Sequence, residues 1–200
     1  MRIDVLMGTC PNPLSPSCNF PGWRHLNHDQ STFGPMPDAR GVHESITKCS
    51  MAIKNAPDLT QRPPRSPRVR LGGYVILPRM LDKGRATVAG KCGEYHYDCP
   101  MDGRFLSFAG VSADALKKQL AAGKGDAEVL DWIQKNGKHK RTEPEIVAWS
   151  AYQEQRAPAD TESREFFHEL HGKVGPKRED ISTWFELLDL DDHVTFGGKA

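Results

Sequence analysis

The sequence predicts an all-α fold: a single compact domain of about six or seven short helices, preceded by a disordered N-terminal extension. Three observations carry this. From residue 71 onward apolar side chains recur at helical spacing in runs of roughly 8–18 residues. Ser, Thr, Asp and Pro stand at the starts of those runs, and Gly or Asn-Gly stands at their ends. No two alternating segments are joined by a hairpin turn, so nothing builds a sheet. About 150 residues suffice to enclose one hydrophobic core.

The elements follow in chain order. Residues 1–50 carry prolines at 11, 13, 16, 21, 35 and 37, which interrupt any helix or central strand. The segment reads as disordered. Its four Lys and Arg equal its four Asp and Glu, so it is not a charged tail. Met51 opens a natural N-terminus, and 1–50 is expected to be an over-extended gene start. Residues 51–70 form an extended basic lead-in with Arg62, Arg65, Arg68 and Arg70, read as a solvated strap. The helical domain is expected over 71–200.

A helix over 74–89 has Tyr74, Leu77, Leu81 and Val88 on one face, with Pro78 expected to kink it and Gly90 and Gly93 to end it. A short helix follows Pro100, burying Phe105, Leu106 and Phe108, and ends at Gly110. Ser112 caps a helix over 113–122 with Leu116 and Leu120 inward. Asp126 is expected to cap the next, which carries Val129, Leu130 and Ile133 and stops at Asn136-Gly137. Thr142-Glu143-Pro144-Glu145 starts another, which carries Ile146, Val147, Trp149 and Tyr152; Trp149 or Trp184 in an exposed aromatic patch, with the basic strap, is the expected surface for a partner. Asp160 or Thr161 caps a helix with Phe166, Phe167 and Leu170 inside. A last short helix spans 181–189, and 194–196 reads as an extended stub.

Bulk properties exclude several classes. The formal charge is +1 over 200 residues, so a protein built around nucleic-acid phosphates is not expected. The longest apolar run is Tyr74-Val75-Ile76-Leu77, which is too short for a membrane span. Five cysteines, an odd number, and no apolar leader suit a soluble protein in a reducing cytoplasm.

Residues 71–102 group most of the chemistry-capable side chains. On a helix, Arg79–Asp82 and Asp82–Arg85 are i,i+3 neighbours, which places one carboxylate between two guanidiniums. The loop after it carries Glu94, His96, Asp98, Cys99 and Asp102. His96, Glu94 and Asp82 are the candidate catalytic groups: an imidazole suits general acid–base work when a carboxylate orients it. Arg79, Lys83, Arg85, Cys99 and Asp102 are the candidate binding groups, since arginine forks suit carboxylate and phosphate. Cys92-x3-His96-x2-Cys99 has ligand types zinc accepts, but no second cysteine pair follows, and no metal or cofactor is implied. Glu165-x2-His168-x2-His171 is half of a di-iron helix pair whose other half is missing, so it reads as a surface face. The basic 135–141 stretch and the acidic 179–192 stretch either pair or stay solvated.

PRSPRVRLGGYVILPRMLDKGRATVAG, GEYHYDCPMD, FAGVSADALKK, EIVAWS and TWFELLDLDD together resemble a bacterial family known as a domain of unknown function, numbered 5069. The resemblance covers about residues 57–196 and implies a small soluble helical protein. It carries over no catalytic residue. It covers Glu94, Tyr95, His96, Cys99 and Asp102 but not Cys92, His168 or His171, which weakens both metal readings. The functional expectation is a non-enzymatic interaction or regulatory module binding a protein partner. The alternative is a small-molecule-binding or catalytic domain, with a polar site for an anionic metabolite between helix 74–89 and loop 93–102.

Overall fold

The computed structural model describes residues 56–200. The expectations for residues 1–50, including a gene start at Met51, lie outside the described residues. Seven helices follow in order: α1 Leu77–Val88, α2 Pro100–Ala109, α3 Ala113–Ala121, α4 Asp126–Asn136, α5 Glu143–Gln155, α6 Thr161–Val174 and α7 Trp184–Thr195. Among the described residues there is no strand; Leu71 and Tyr74 form an isolated bridge. The all-α reading holds.

The first helix begins later than its apolar spacing suggested. Tyr74 lies in the bridge, and Ile76 takes a positive φ of 69° just before Leu77. There the Leu77 N–H donates to the Val75 carbonyl at 2.8 Å, closing a tight turn that a β-branched residue rarely adopts. Such a conformation costs about 1–3 kcal/mol and persists only when its surroundings hold it. They do: Ile76 is fully buried, and its N–H donates to the Pro67 carbonyl at 2.9 Å. The Ser150 hydroxyl of α5 donates to the Gly73 carbonyl at 2.9 Å. Because α1 starts at Leu77, Pro78 sits in its first turn, where the missing N–H has no carbonyl to lose. The expected kink is therefore corrected.

Capping follows the sequence at most other starts. Ser112, Asp160 and Thr183 accept from backbone N–H groups of α3, α6 and α7, and Glu145 accepts from the Thr142 N–H at 2.8 Å. Asp126 does not cap. Gly125 occupies that position, with Glu128 accepting its N–H at 2.8 Å, while the Asp126 carboxylate is engaged by two arginines. The last helix starts at Trp184, not 181, and continues to Thr195, so the extended stub at 194–196 is also corrected. Its extra turn buries Asp191 and Asp192.

Leu77, Met80 and Leu81 of α1 are fully buried and sit at the centre of the core. α1 packs most extensively on α3, and α6 packs on α7. In α5, Ile146, Ser150 and Gln153 are buried with Trp149 partly so, a face at i, i+4 and i+7. Val147 and Tyr152 point outward at 48% and 63% exposure. The lead-in is solvated only in part: Arg62, Arg68 and Arg70 are exposed, but Leu59 is fully buried beside Ala86 and Tyr95.

The closest helix approach depends on Gly84. A Cβ there would lie 2.4 Å from Leu120 Cδ1 and 3.0 Å from Tyr97 Cε2. Gly84→Ala should destabilise the protein by about 1–3 kcal/mol in a urea melt despite alanine's better helix propensity. Gly103→Ala in α2, where a Cβ meets nothing within 4 Å, should instead be neutral or stabilising by up to about 1 kcal/mol.

Candidate functional site

The polar side chains of α1 leave the helix in different directions, and none of the intrahelical pairs expected from their spacing forms. Arg79 is buried at 1% exposure and reaches α7. Its two terminal nitrogens donate to the Asp192 carboxylate at 2.6 and 3.3 Å, and one also donates to the Arg65 carbonyl at 3.3 Å. The Tyr95 hydroxyl donates to the same carboxylate at 2.6 Å, and the Arg79 guanidinium lies 5.5 Å from the Tyr95 ring centre. One carboxylate thus ties α1, the turn after it and α7 together.

Asp82 pairs with the strap. The Arg65 Nε and a terminal nitrogen each donate to it at 2.8 Å, and the Arg65 backbone N–H adds a third bond at 3.0 Å. The other Arg65 terminal nitrogen donates to Asp126 at 2.7 Å, and Arg85 donates to the second Asp126 oxygen at 2.7 Å. Burial acts first to raise the Asp126 carboxyl, but the Arg65 and Arg85 guanidiniums outweigh it and hold it below the usual carboxylate range. Asp82, Arg85, Asp126, Arg62 and Lys124 line a shallow cavity of about 330 Å³. Its Asp82, Arg85 and Asp126 charges are already matched.

Lys83 and Asp102 are each 1% exposed and 2.9 Å apart, and the Lys83 ammonium also donates to the Cys99 sulfur at 3.1 Å. The second Asp102 oxygen accepts the Asp98 N–H at 3.0 Å, bracing the turn at Asp98, whose φ is 64°. Cys99 is 4% exposed, so its thiol is shielded as a nucleophile. Glu94 and His96 are exposed, and His96 Nδ1 lies 3.2 Å from the Glu94 carbonyl oxygen. The eight candidates therefore do not converge. Arg79, Lys83, Cys99 and Asp102 are buried in two separate networks, Asp82 and Arg85 belong to a third, and His96 and Glu94 face solvent.

The remaining constellations are structural as well. Arg68 meets Asp189 at 3.2 Å and Glu186 at 3.7 Å, and Arg70 meets Glu154 at 3.0 Å. The acidic end is thus matched by the strap and α1, not by 135–141. There, Lys140 donates to the Gln134 and Lys135 carbonyls at the end of α4, and Arg141 donates to Phe108 at the end of α2. Glu165 and His168 are exposed, while His171 Nε2 lies 2.8 Å from the Arg178 carbonyl oxygen. Among the described residues, no three His, Cys, Asp or Glu side chains cluster closely enough to hold a metal ion.

Sequence reasoning missed a different site. Where α2, the end of α5 and the starts of α6 and α7 meet, a cleft of about 720 Å³ opens, lined by Arg104, Tyr152, Arg156, Glu162, Phe166 and Trp184 among others. Arg104 and Arg156 lie 52 positions apart in the sequence and share no motif. The signal available was aromatic: Trp184, expected as part of a partner surface, lines the cleft together with Tyr152.

The model of a family described as Domain of unknown function (DUF5069) matches residues 61–194, and the chain belongs to that family. No curated protein matches the chain. The matched span runs from the strap into α7, so Arg65, Arg79, Asp82, Lys83, Asp102, Asp126 and Asp192 all lie inside it.

Removing one partner of a buried ion pair leaves an uncompensated charge. Asp192→Ala should cost about 3–5 kcal/mol in chemical denaturation. Lys83→Met and Asp102→Leu should each destabilise, and the double variant should recover a large part of the loss. A depressed carboxyl stabilises the fold above its unfolded-state value and loses that contribution as pH falls through the lower folded value. Asp126→Asn should therefore lower stability at neutral pH and flatten its fall below about pH 4, seen in thermal melts from pH 2.5 to 7.

Proposed function

We propose that this member of the family is a non-enzymatic interaction or regulatory module. Its conspicuous polar residues hold the fold, and its binding face is the cleft between α2, α5, α6 and α7. The observation that supports this reading is the pairing pattern. A general acid or base must reach its proton within roughly 2.6–3.2 Å and needs a neighbour to orient it. His96 sits on an exposed turn, whereas Asp82 is taken by the bidentate Arg65 fork on another face of α1. The candidate nucleophile Cys99 is enclosed with Lys83 and Asp102. The cleft combines what a binding face uses, an exposed tyrosine, a tryptophan floor and two arginines.

The reading places the protein in the cytoplasm. The free thiol of Cys92 suits a reducing compartment. Among the described residues, no helix is long and apolar enough to cross a membrane.

His96→Ala discriminates this reading from the catalytic alternative. The variant should melt within about 0.5 kcal/mol of the parent. Any compound that stabilises the parent in a thermal-shift screen should stabilise the variant equally. A ligand response or turnover that disappears in a folded His96→Ala protein would favour the alternative site at the 93–102 turn.

A further inference from the structure

We infer that the cleft between α2, α5, α6 and α7 binds a small organic anion, a carboxylate or a phosphate monoester carried on a planar apolar body. The inference rests on the reading of this cleft as the binding face and adds the chemistry of its ligand. The volume of about 720 Å³ lies within the range of roughly 300–1,000 Å³ typical of small-molecule sites.

Two cationic donors line it without an acceptor. Arg104 projects from α2 and Arg156 from the residue that ends α5, and among the described residues neither has a carboxylate partner. Trp184 is 5% exposed, and its indole Nε1 has no hydrogen-bond partner. That nitrogen is enclosed, so Trp184 offers the cleft its ring and not its N–H. Two guanidinium forks match the lone pairs of a carboxylate or phosphate.

The chain holds Arg156 and Trp184 in place before any ligand arrives. The Arg156 carbonyl accepts the Trp184 N–H at 3.1 Å, which fixes the end of α5 against the start of α7. The Arg156 guanidinium lies 5.7 Å from the Trp184 ring centre. Phe167 packs edge-on against Trp184 at 5.2 Å and keeps the indole from turning. Binding then costs little ordering.

The unliganded arrangement is electrostatically unfavourable. Burial, and then the charge of Arg104, bring the Arg156 guanidinium down to about 10. An anion seated between the two arginines would offset both effects by its opposite charge. The carboxylates on the rim set the orientation. Asp160 accepts the Ser163 N–H and so caps α6, and exposed Glu162 adds a second negative charge near it. The ligand's anionic group therefore faces Arg104 and Arg156, and its apolar body lies along Phe166 and Tyr152.

Isothermal titration and thermal shift on the full chain test this, using benzoate and phenyl phosphate with acetate and inorganic phosphate as controls. The expected result is that benzoate, phenyl phosphate or both bind and raise the melting temperature, while the controls bind at least tenfold more weakly. Arg104→Gln and Arg156→Lys should each weaken binding about tenfold or more by removing charge-assisted bonds. Arg104→Gln should leave the unliganded melting temperature unchanged or slightly raised, because it removes a like charge. Binding of phenyl phosphate alone assigns the site to phosphate, and binding of benzoate alone assigns it to carboxylate. No binding of either, controls that bind as tightly, or affinity unchanged in both variants would overturn the inference. None of those outcomes touches the non-enzymatic reading, which fails instead on a ligand response that depends on His96.

Discussion

Asp192 is the residue on which the rest of the structure depends. Its carboxylate takes two bonds from Arg79 and one from Tyr95, all from groups no more than 8% exposed. Removing such charges from water costs several kcal/mol per ion, and only good geometry with further hydrogen bonds offsets it. Here the geometry is a bidentate fork plus a phenol, so the carboxylate's main lone pairs are filled. The consequence is positional. A helix that begins 107 residues after the start of α1 is held against it and against the 93–102 turn. α7 then brings Trp184, Phe185, Leu187 and Leu188 into the core. Apolar packing supplies most of the driving force, but it does not select among rotations of α7; a directional buried ion pair does.

The same logic recurs toward the surface with falling stringency. Arg65 spans Asp82 and Asp126 while also donating to the Pro78 carbonyl, so one strap residue joins α1 and α4. Lys83 with Asp102 joins α1 to α2. Further out, Arg68 and Arg70 meet acidic residues of α7 and α5 with their side chains more than a third exposed, where each pair contributes about 0–1 kcal/mol. The strap is thus fastened at its centre and only loosely matched at its end. The strained turn at Ile76 lies between the two, fixed by the Pro67 carbonyl above and the Ser150 region below.

Legibility in the sequence follows the range of the interaction concerned. Caps and stops are local, and Ser112, Thr142, Asp160 and Gly110 occupy the positions their side chains and backbone freedom suit. Burial is nearly as legible where apolar spacing is strict, as for Leu77 and Leu81. It is not legible in α5, which leaves Val147 and Tyr152 exposed and buries Ser150 and Gln153 on a face its apolar residues do not define. Ion pairing was not legible. Helical spacing offered Asp82 two neighbours on its own helix, but a fork 17 positions upstream took it with better geometry. Arg79 found its carboxylate 113 positions away. Local spacing states which pairs are possible, and the tertiary fold decides which are made. Density of charged residues in one stretch marked the centre of the fold, where those residues divide among separate networks.

That distinction directs attention to the cations that the fold does not neutralise. A chain that matches Arg65, Arg79, Lys83 and Arg85 with such care has acidic groups at hand, since Asp160 and Glu162 line the same cleft as Arg104 and Arg156. Yet Asp160 is committed to the backbone of α6 and neither acid pairs with the arginines. Stability alone would favour closing that pair or replacing Arg156, which burial and Arg104 both disfavour as a cation. Proteins tolerate such local costs where a ligand offsets them, because activity and stability trade against each other at binding sites. Three groups of matched charges therefore describe the scaffold, and the unmatched Arg104 and Arg156 are where the proposed ligand would act.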